Sequence, residues 1–199
     1  IRDCLLSRGL GDVYKRQGNS WNYTFYVPHD VYGLAKLMGG KKPFVNKLQM
    51  VFDEGLYDPA NEPDIAYAHL FSYFKGEEWR TQKETQRLLD KYFTTKPDGI
   101  PGNDDTGTMS SWAIFNMIGF YPDCPGLPEY TLTTPVFNKV TIRLDPKWYK
   151  ENELVIETNR TQPGTLYIDK VLLNGQKFNK YHITHDELVH GKYLKFDLK

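Results

Sequence analysis

Residues 104–134 read DDTGTMSSWAIFNMIGFYPDCPGLPEYTLTT, and the character of the chain changes within them. The two leading aspartates favour a helix N-terminus, and the apolar residues after them recur at helical spacing until Gly119. Pro122, Pro125 and Pro128 then mark a rigid connection, after which apolar and polar residues alternate as they do in a strand. We therefore predict helical structure up to about residue 122 and β structure after it.

Upstream of this segment, the spacing of apolar residues predicts four more helices, the first of them N-capped by Asp30. A more buried helix alternates with an amphipathic one, as in an α/α toroid, although a plain helical bundle would give a similar pattern. Together with the one after Asp105, the five predicted helices span about residues 31–38, 43–55, 63–75, 77–93 and 106–119.

Downstream, alternating apolar and polar residues predict a largely antiparallel sheet with one solvated face. Asn174-Gly175 is typical of a two-residue hairpin turn. The predicted strands are residues 130–134, 139–144, 154–158, 165–173 and 193–198. The fold class is thus mainly α, then β: part of a toroid with about five helices, followed by a C-terminal antiparallel β segment in residues 123–199.

The first 17 residues, IRDCLLSRGLGDVYKRQ, show no clear period and end in a basic dipeptide before Gln17. They resemble a translated adaptor more than native protein, the alternative being an ordinary basic tail. We therefore leave residues 1–17 out of the fold prediction as a non-native leader without ordered packing, and assign residues 18–122 to the helical domain.

Composition excludes several functional classes for these 199 residues. The formal net charge is zero, which does not favour nucleic acid or an anionic membrane as partner. The sequence has no apolar run of about 18 residues, which a spanning helix needs. Aromatic residues make up 15% of the chain, which fits either a tyrosine-rich core or a surface on which sugar rings stack.

Three predicted loops hold more polar residues than turn formation requires, namely residues 18–30, 61–64 and 98–107. Each has a simpler explanation, because aspartates such as Asp30 and Asp105 can serve only as helix caps. Since all three loops precede helices of one toroid, however, we expect them to meet at one end of it. Clustered carboxylates with amide oxygens suit a hard cation such as calcium, and carboxyls beside aromatic rings suit glycosidic bond cleavage.

Four blocks of sequence in these regions resemble the family 92 α-mannosidases of the glycoside hydrolases: GNSWNYTFYVPHDVYGL, NEPD, DGIPGNDDTGTMSSWAIFNMIGFYPDCPGLPEY and TTPVFNKVTI. The resemblance covers residues 18–199 and is specific up to about Leu144. It implies an (α/α)6 catalytic domain preceded by a β-sandwich domain that this chain lacks. It also implies Ca²⁺-dependent, inverting, exo-acting release of terminal α-mannose from N-glycans or mannans by a secreted or periplasmic parent protein.

The resemblance also implies roles for individual residues. Asp105 corresponds to the base that activates water, with Asp104 as the neighbouring alternative. The metal-binding Asn-Glu pair corresponds to Asn61 and Glu62. The residues expected to bind substrate are Trp21, His29 and Asp30.

Two positions depart from the family pattern. The general acid is a Glu directly before Gly-Asn in the family, whereas this sequence has Gln17, which cannot donate a proton as a carboxylic acid does. We therefore expect the fragment to be inactive, and we interpret Gln17 as part of the leader. Members that prefer α-1,2 linkages carry His near the place held here by Pro59-Ala60, which makes that linkage less favoured and leaves the specificity open.

Two other functional classes remain open on the sequence. A non-catalytic carbohydrate-binding relative would keep the sugar and metal contacts without the acid. A helical scaffold would use its acidic loops only as caps and would show no calcium-dependent change in melting temperature.

Overall fold

The computed structural model describes residues 18–199, which fall into two compact units that meet in sequence between Tyr67 and Ala68. The leader prediction for residues 1–17 lies outside the described residues. The division at residue 122 stays a prediction.

The first unit is helical, as the sequence predicts. Its helices are α1 (Ser20–Thr24), α2 (Val31–Leu37) and α3 (Lys41–Asp53), followed by a 3₁₀ turn at Glu62–Asp64. The predicted cap is confirmed, because the Asp30 carboxylate accepts the N–H of Gly33 at 2.8 Å. α3 begins two residues before the predicted Pro43, which the first helical turn accommodates. The short α1 lies where the sequence predicted a loop.

Aromatic rings form the core of the first unit. Phe25 packs edge-to-face against Phe44 and Tyr67, with ring centroids 5.2 and 5.3 Å apart. The apolar face predicted for α3 is confirmed, because all four of its residues are buried: Phe44, Leu48, Val51 and Phe52. This core carries the turn at residues 61–64.

The α-helix predicted for residues 63–75 is wrong. The chain there forms the turn at Glu62–Asp64 and a separate 3₁₀ segment at Tyr67–Tyr73. The hydroxyl of Tyr67 donates to the carbonyl of Trp21 at 3.0 Å and accepts the N–H of Phe25 at 3.0 Å. These tertiary contacts anchor the first residue of the 3₁₀ segment, which is a tighter helix than the periodicity indicated.

Two longer helices follow in the second unit, α4 (Glu78–Tyr92) and α5 (Thr108–Ile118), the latter preceded by a 3₁₀ turn at Asp105–Gly107. Both agree with the predicted spans to within a few residues. The sequence placed the charged residues of α4 on an exposed face, but Glu84 is fully buried. Its carboxylate pairs with Arg87 at 2.6 Å.

Two sheets complete the second unit, where the sequence predicted one. The strands are β1 (Phe120–Tyr121), β2 (Glu129–Leu132), β3 (Lys139–Arg143), β4 (Glu153–Arg160), β5 (Ile168–Leu173), β6 (Gln176–Phe178), β7 (His182–Thr184) and β8 (Tyr193–Leu198), with α6 (His185–Val189) before the last. The orders are β1-β2-β7 and β3-β4-β8-β5-β6. All pairs are antiparallel except β4 with β8, and β5 and β6 are joined at the predicted Asn174-Gly175 turn.

The change from helix to sheet occurs at Gly119, the C-cap of α5. Its φ is +112°, a conformation that favours glycine, and a Cβ there would lie 2.7 Å from Cγ of Pro135. Glycine is therefore required at this position by both its conformation and its neighbour.

None of the helices in residues 18–199 is both long enough and apolar enough to span a membrane.

Candidate active site

The turn at residues 61–64 places polar side chains in the interior of the first unit. Asn61 is 2% exposed and Asp64 is 0% exposed, while Glu62 between them is half-buried. Pro63 at the start of the 3₁₀ turn favours this tight geometry, because its φ is already helical.

Several buried polar atoms of this turn have no partner within the described residues. Both amide atoms of Asn61 and Oδ1 of Asp64 make no hydrogen bond there. Buried polar groups are normally paired, so unpaired ones point to a missing partner such as an ion or water. Calcium is bound by oxygen ligands, including those of amides and carboxylates. The side chains of Asn61 and Glu62 are therefore of the chemical type that the expected metal needs.

The described residues alone do not make a full metal site. Among residues 18–199, no three His, Cys, Asp or Glu side chains converge in an arrangement that could hold a metal ion. Calcium takes about six to eight oxygen ligands, which include amide and backbone oxygens and water. Asn61 and Glu62 would therefore supply only part of the ligand set.

Asp64 is the most deeply buried carboxyl of this turn. Its Oδ2 accepts the side-chain N–H of Asn22 and the backbone N–H of Asp58, each at 2.7 Å. Burial raises the pKa of Asp64 to about 7, although these two hydrogen bonds favour the charged form. Asp64 therefore differs from an exposed aspartate in both its partners and its ionisation.

Trp21 lies on α1 and is half-buried. The ammonium of Lys47 sits 5.5 Å from the centroid of the Trp21 ring, and the carbonyl of Trp21 is held by the Tyr67 hydroxyl. The backbone of Trp21 is therefore held by Tyr67, while the indole keeps part of its surface accessible.

His29 and Asp30 lie in the loop before α2, and both are exposed. The Asp30 carboxylate is engaged at the helix N-terminus through Gly33, whose lack of a side chain leaves room for it. The simpler explanation of Asp30 as a cap is confirmed, while the substrate-binding roles of both residues stay predictions.

In the second unit, the Asp104 side chain binds the first turn of α5, whose N-cap residue is Gly107. Its Oδ1 accepts the N–H of Ser110 at 2.8 Å, and its Oδ2 accepts the Ser110 hydroxyl at 2.6 Å. These bonds hold the pKa of Asp104 below its usual value, the hydroxyl contributing most. Asp104 is thereby committed to a structural contact.

Asp105 next to it is exposed, and its carboxylate has no hydrogen bond or ion pair with any residue of the described part of the chain. Its backbone carbonyl accepts the hydroxyls of Thr106 and Thr108, each at 2.6 Å. Thr106 has φ +58°, which is unusual for a β-branched residue and marks a strained backbone. The turn therefore holds Asp105 by its backbone and leaves its carboxylate accessible to water.

Sequence reasoning missed Asn22 as a site residue and gave Asp64 no role of its own. Asn22 and Asn19 form a capping box at α1, in which Asn22 replaces the usual Glu or Gln, so the signal was weak. A carboxyl that is buried and hydrogen-bonded cannot be told from an exposed one by sequence alone. The predicted meeting of all three polar loops at one end of a toroid stays a prediction.

Comparison with solved structures gives high similarity over most of the chain. A family GH92 α-mannosidase from Bacteroides thetaiotaomicron is 33% identical, with a TM-score of 0.84, over 92% of this chain and 25% of its own. An inverting mannosidase of the same family, from Bacteroides thetaiotaomicron VPI-5482, is 32% identical, with a TM-score of 0.79, over 92% of this chain and 27% of its own.

An uncharacterised secreted glycosidase from Arthroderma benhamiae is 29% identical over 195 residues, which is 98% of this chain. The chain spans only 25% of the length of that relative. These similarities identify the chain as part of a glycoside hydrolase. The model of the glycosyl hydrolase family 92 catalytic domain matches residues 7–199, and the chain belongs to that family.

Proposed function

We propose that the full-length protein containing this chain is an inverting, Ca²⁺-dependent exo-α-mannosidase acting on terminal α-mannose of N-glycans or mannans. The observation that carries the proposal is the match of the family model to residues 7–199. The name of one similar structure describes an inverting mannosidase, and another was solved with mannoimidazole bound. The substrate class and stereochemistry come to this protein by that similarity.

In the proposed reaction, Asp105 is the general base. An inverting glycosidase needs a carboxylate that takes a proton from water on the side of the sugar opposite the leaving group. The Asp105 carboxylate is exposed, while that of Asp104 is occupied by Ser110. This difference favours Asp105 over its neighbour as the base.

Asn61 and Glu62 are the proposed calcium ligands. The buried, unpaired amide of Asn61 supports this assignment, because a cation would offset the cost of burying its oxygen without a partner. Bound calcium would supply positive charge beside sugar hydroxyls. Trp21, His29 and Asp30 are the proposed sugar-binding side chains.

The proposal extends to the whole protein. We propose that residues 18–122 form the last part of an (α/α)6 toroid and that a β-sandwich domain precedes it in the parent chain. The name of the relative described as a secreted glycosidase supports an exported protein. Gln17 cannot serve as general acid, so the 199-residue chain itself is proposed to be inactive.

The proposal can be tested on the full-length protein with Glu at position 17. We expect release of mannose from 4-nitrophenyl α-mannoside, loss of that activity with a calcium chelator, and recovery when calcium is added back. NMR of the first product should show the β anomer, as inversion requires. Chelator-insensitive activity, or no mannose release from a folded protein, would contradict the proposal, and the matched protein with Gln17 is the control.

A second candidate is a carbohydrate-binding protein without turnover, which Gln17 favours if it is native. Sequencing the gene upstream of Gly18 discriminates the two. A native Gln codon together with calcium-dependent mannose binding, but no hydrolysis, would support binding alone.

A further inference from the structure

Residues 58–64 form a loop, the ligand loop, which carries both proposed calcium ligands and is closed by hydrogen bonds. Oδ2 of Asp64 accepts the backbone N–H of Asp58 at 2.7 Å, across the whole loop. The N–H of Asn61 donates to the carbonyl of Asp58 at 3.2 Å, and the N–H of Asp64 donates to the carbonyl of Asn61 at 3.0 Å. Asp64 therefore ties the two ends of the loop together, with Asn61 between them.

Asp64 is also the point at which the ligand loop is anchored to α1. The same Oδ2 accepts from Nδ2 of Asn22 at 2.7 Å, and Asp64 is 0% and Asn22 2% exposed. Oδ1 of Asn22 accepts the backbone N–H of Asn19 at 2.7 Å. The Asn22 amide can make both bonds in only one orientation, because its donor and its acceptor are at opposite ends. The carboxylate of Asp64 is thus held by a side chain that is itself fixed.

The amides of Asn22 and Asn61 pack against the same glycine. A Cβ on Gly18 would lie 2.5 Å from Nδ2 of Asn61 and still closer to Oδ1 of Asn22. Real side chains do not make contacts this short, so the backbone of Gly18 lies directly against both amides. A shift of Asn22 would therefore disturb the packing around Asn61.

We propose that Asp64 is a positioning residue: its Oδ2 closes the ligand loop and so sets Asn61 and Glu62 in place before calcium binds. This rests on the proposed function, in which those two residues are calcium ligands. The role depends on Oδ2, which two N–H donors of the protein occupy, and not on the negative charge of Asp64. Ligands held in place beforehand bind an ion more tightly, because less freedom is lost on binding.

Calcium binding by the full-length protein and three variants tests this. Asp64→Ala removes the acceptor, and Asn22→Ala removes the donor that holds it. Asp64→Asn is the matched variant, because its amide oxygen can take the place of Oδ2 while the charge is lost. Asp53→Ala, which removes an exposed carboxylate of the same unit, is the control. Isothermal titration calorimetry gives Kd for Ca²⁺ at a temperature at which circular dichroism shows each protein to be folded.

We expect Asp64→Ala to raise Kd for Ca²⁺ by about 10- to 100-fold, the usual cost of removing an outer-shell partner of a metal ligand. Asn22→Ala should raise Kd by about 10-fold, the lower end of that range, because the bond between Asp58 and Asp64 remains. Asp64→Asn and Asp53→Ala should stay within about 3-fold of the parent, below that range. The double variant of Asp64→Ala and Asn22→Ala should lose no more than Asp64→Ala alone, since both changes remove one contact.

Two results would overturn the positioning role. An unchanged Kd in both alanine variants, with a lowered melting temperature in chelator, would show that the contact is only structural. A loss in Asp64→Asn as large as that in Asp64→Ala would show that the charge of Asp64, and not its hydrogen bonds, acts on the ion. If Asp64→Ala does not fold, Asn22→Ala and Asp64→Asn still give both answers. A parent protein that binds no calcium would contradict the proposed function, and this inference with it.

Discussion

The two acidic turns, residues 61–64 and residues 104–107, use similar residues in opposite ways. Both contain a short 3₁₀ turn with neighbouring acidic side chains. In the first, Asn61 and Asp64 are buried and keep polar atoms without partners among the described residues. In the second, Asp105 is exposed. The unusual feature of this turn is in its backbone, where Thr106 has a positive φ.

The difference teaches that burial and partners, rather than residue type, decide what an acidic side chain can do. An exposed carboxylate without partners is accessible to water. A buried polar group must be offset by a hydrogen bond or an ion, so it is suited to holding something in place. This contrast supports the proposed roles, proton transfer at the exposed turn and metal binding at the buried one.

The largest expected effect is on the exposed turn. Asp105→Asn in the full-length enzyme with Glu at position 17 should lower kcat by about 10²–10⁴, the usual contribution of a general base. The matched change Asp104→Asn should lower kcat by less than about 10-fold, well below that contribution, because the Asp104 carboxylate is bound to Ser110. Steady-state kinetics with 4-nitrophenyl α-mannoside measure both. If Asp104→Asn is the more damaging change, the two assignments must be exchanged.

The buried turn should respond differently, in metal affinity. Asn61→Ala should weaken calcium binding by at least about 10-fold, since even outer-shell changes cost about 10–100-fold. Without calcium, the variant should be no less stable than the parent, because it removes a buried amide that lacks partners. Melting temperature as a function of calcium concentration measures both effects.

Asn179→Ala is the control for that experiment, because Asn179 is an exposed residue of the same type. It should change neither the calcium midpoint nor the stability. An Asn61→Ala variant that keeps normal calcium affinity but loses stability in chelator would show that the amide has an unseen structural partner instead of a metal.

The smallest expected effect concerns pH. Asp104 has a lowered pKa in the folded state, so it stabilises the fold above its ordinary pKa of 3.8, and this contribution is lost as pH falls through the lowered value. Ser110→Ala removes the hydroxyl that contributes most to the lowered pKa of Asp104. The variant should therefore lose less folding stability than the parent as the pH falls below about 4. Urea unfolding at several pH values measures it. Ser111→Ala, an exposed neighbour, should leave the pH profile unchanged.

Much of the fold could be predicted because local signals agree with the final structure. The Asp30 cap and the Asn174-Gly175 turn depend on neighbouring residues only, and the apolar spacing of α3 and the helix stop at Gly119 are also visible in the local sequence. The capping box of Thr184 and Glu187 is a further local signal, and it marks the start of α6. Where tertiary contacts decide, as at Tyr67, the periodicity gave the wrong helix type.

The candidate site was less accessible to prediction, for a physical reason. Asp64 and Asp105 are the same residue type, yet one is buried against Asn22 and the other is exposed. That difference arises from contacts between distant segments, which no local pattern records. The family resemblance supplied candidate roles, and the structure supplied the partners that distinguish Asp105 from Asp104.

The central place of β8 has a consequence for biosynthesis. β8 lies between β4, with which it is parallel, and β5, although it follows every other strand in the chain. During translation, β3 with β4 and β5 with β6 can form only as separate hairpins, which are marginally stable on their own. The facing edges of β4 and β5 stay unpaired until β8 has been synthesised, so we expect the nascent chain to be prone to aggregation until that moment.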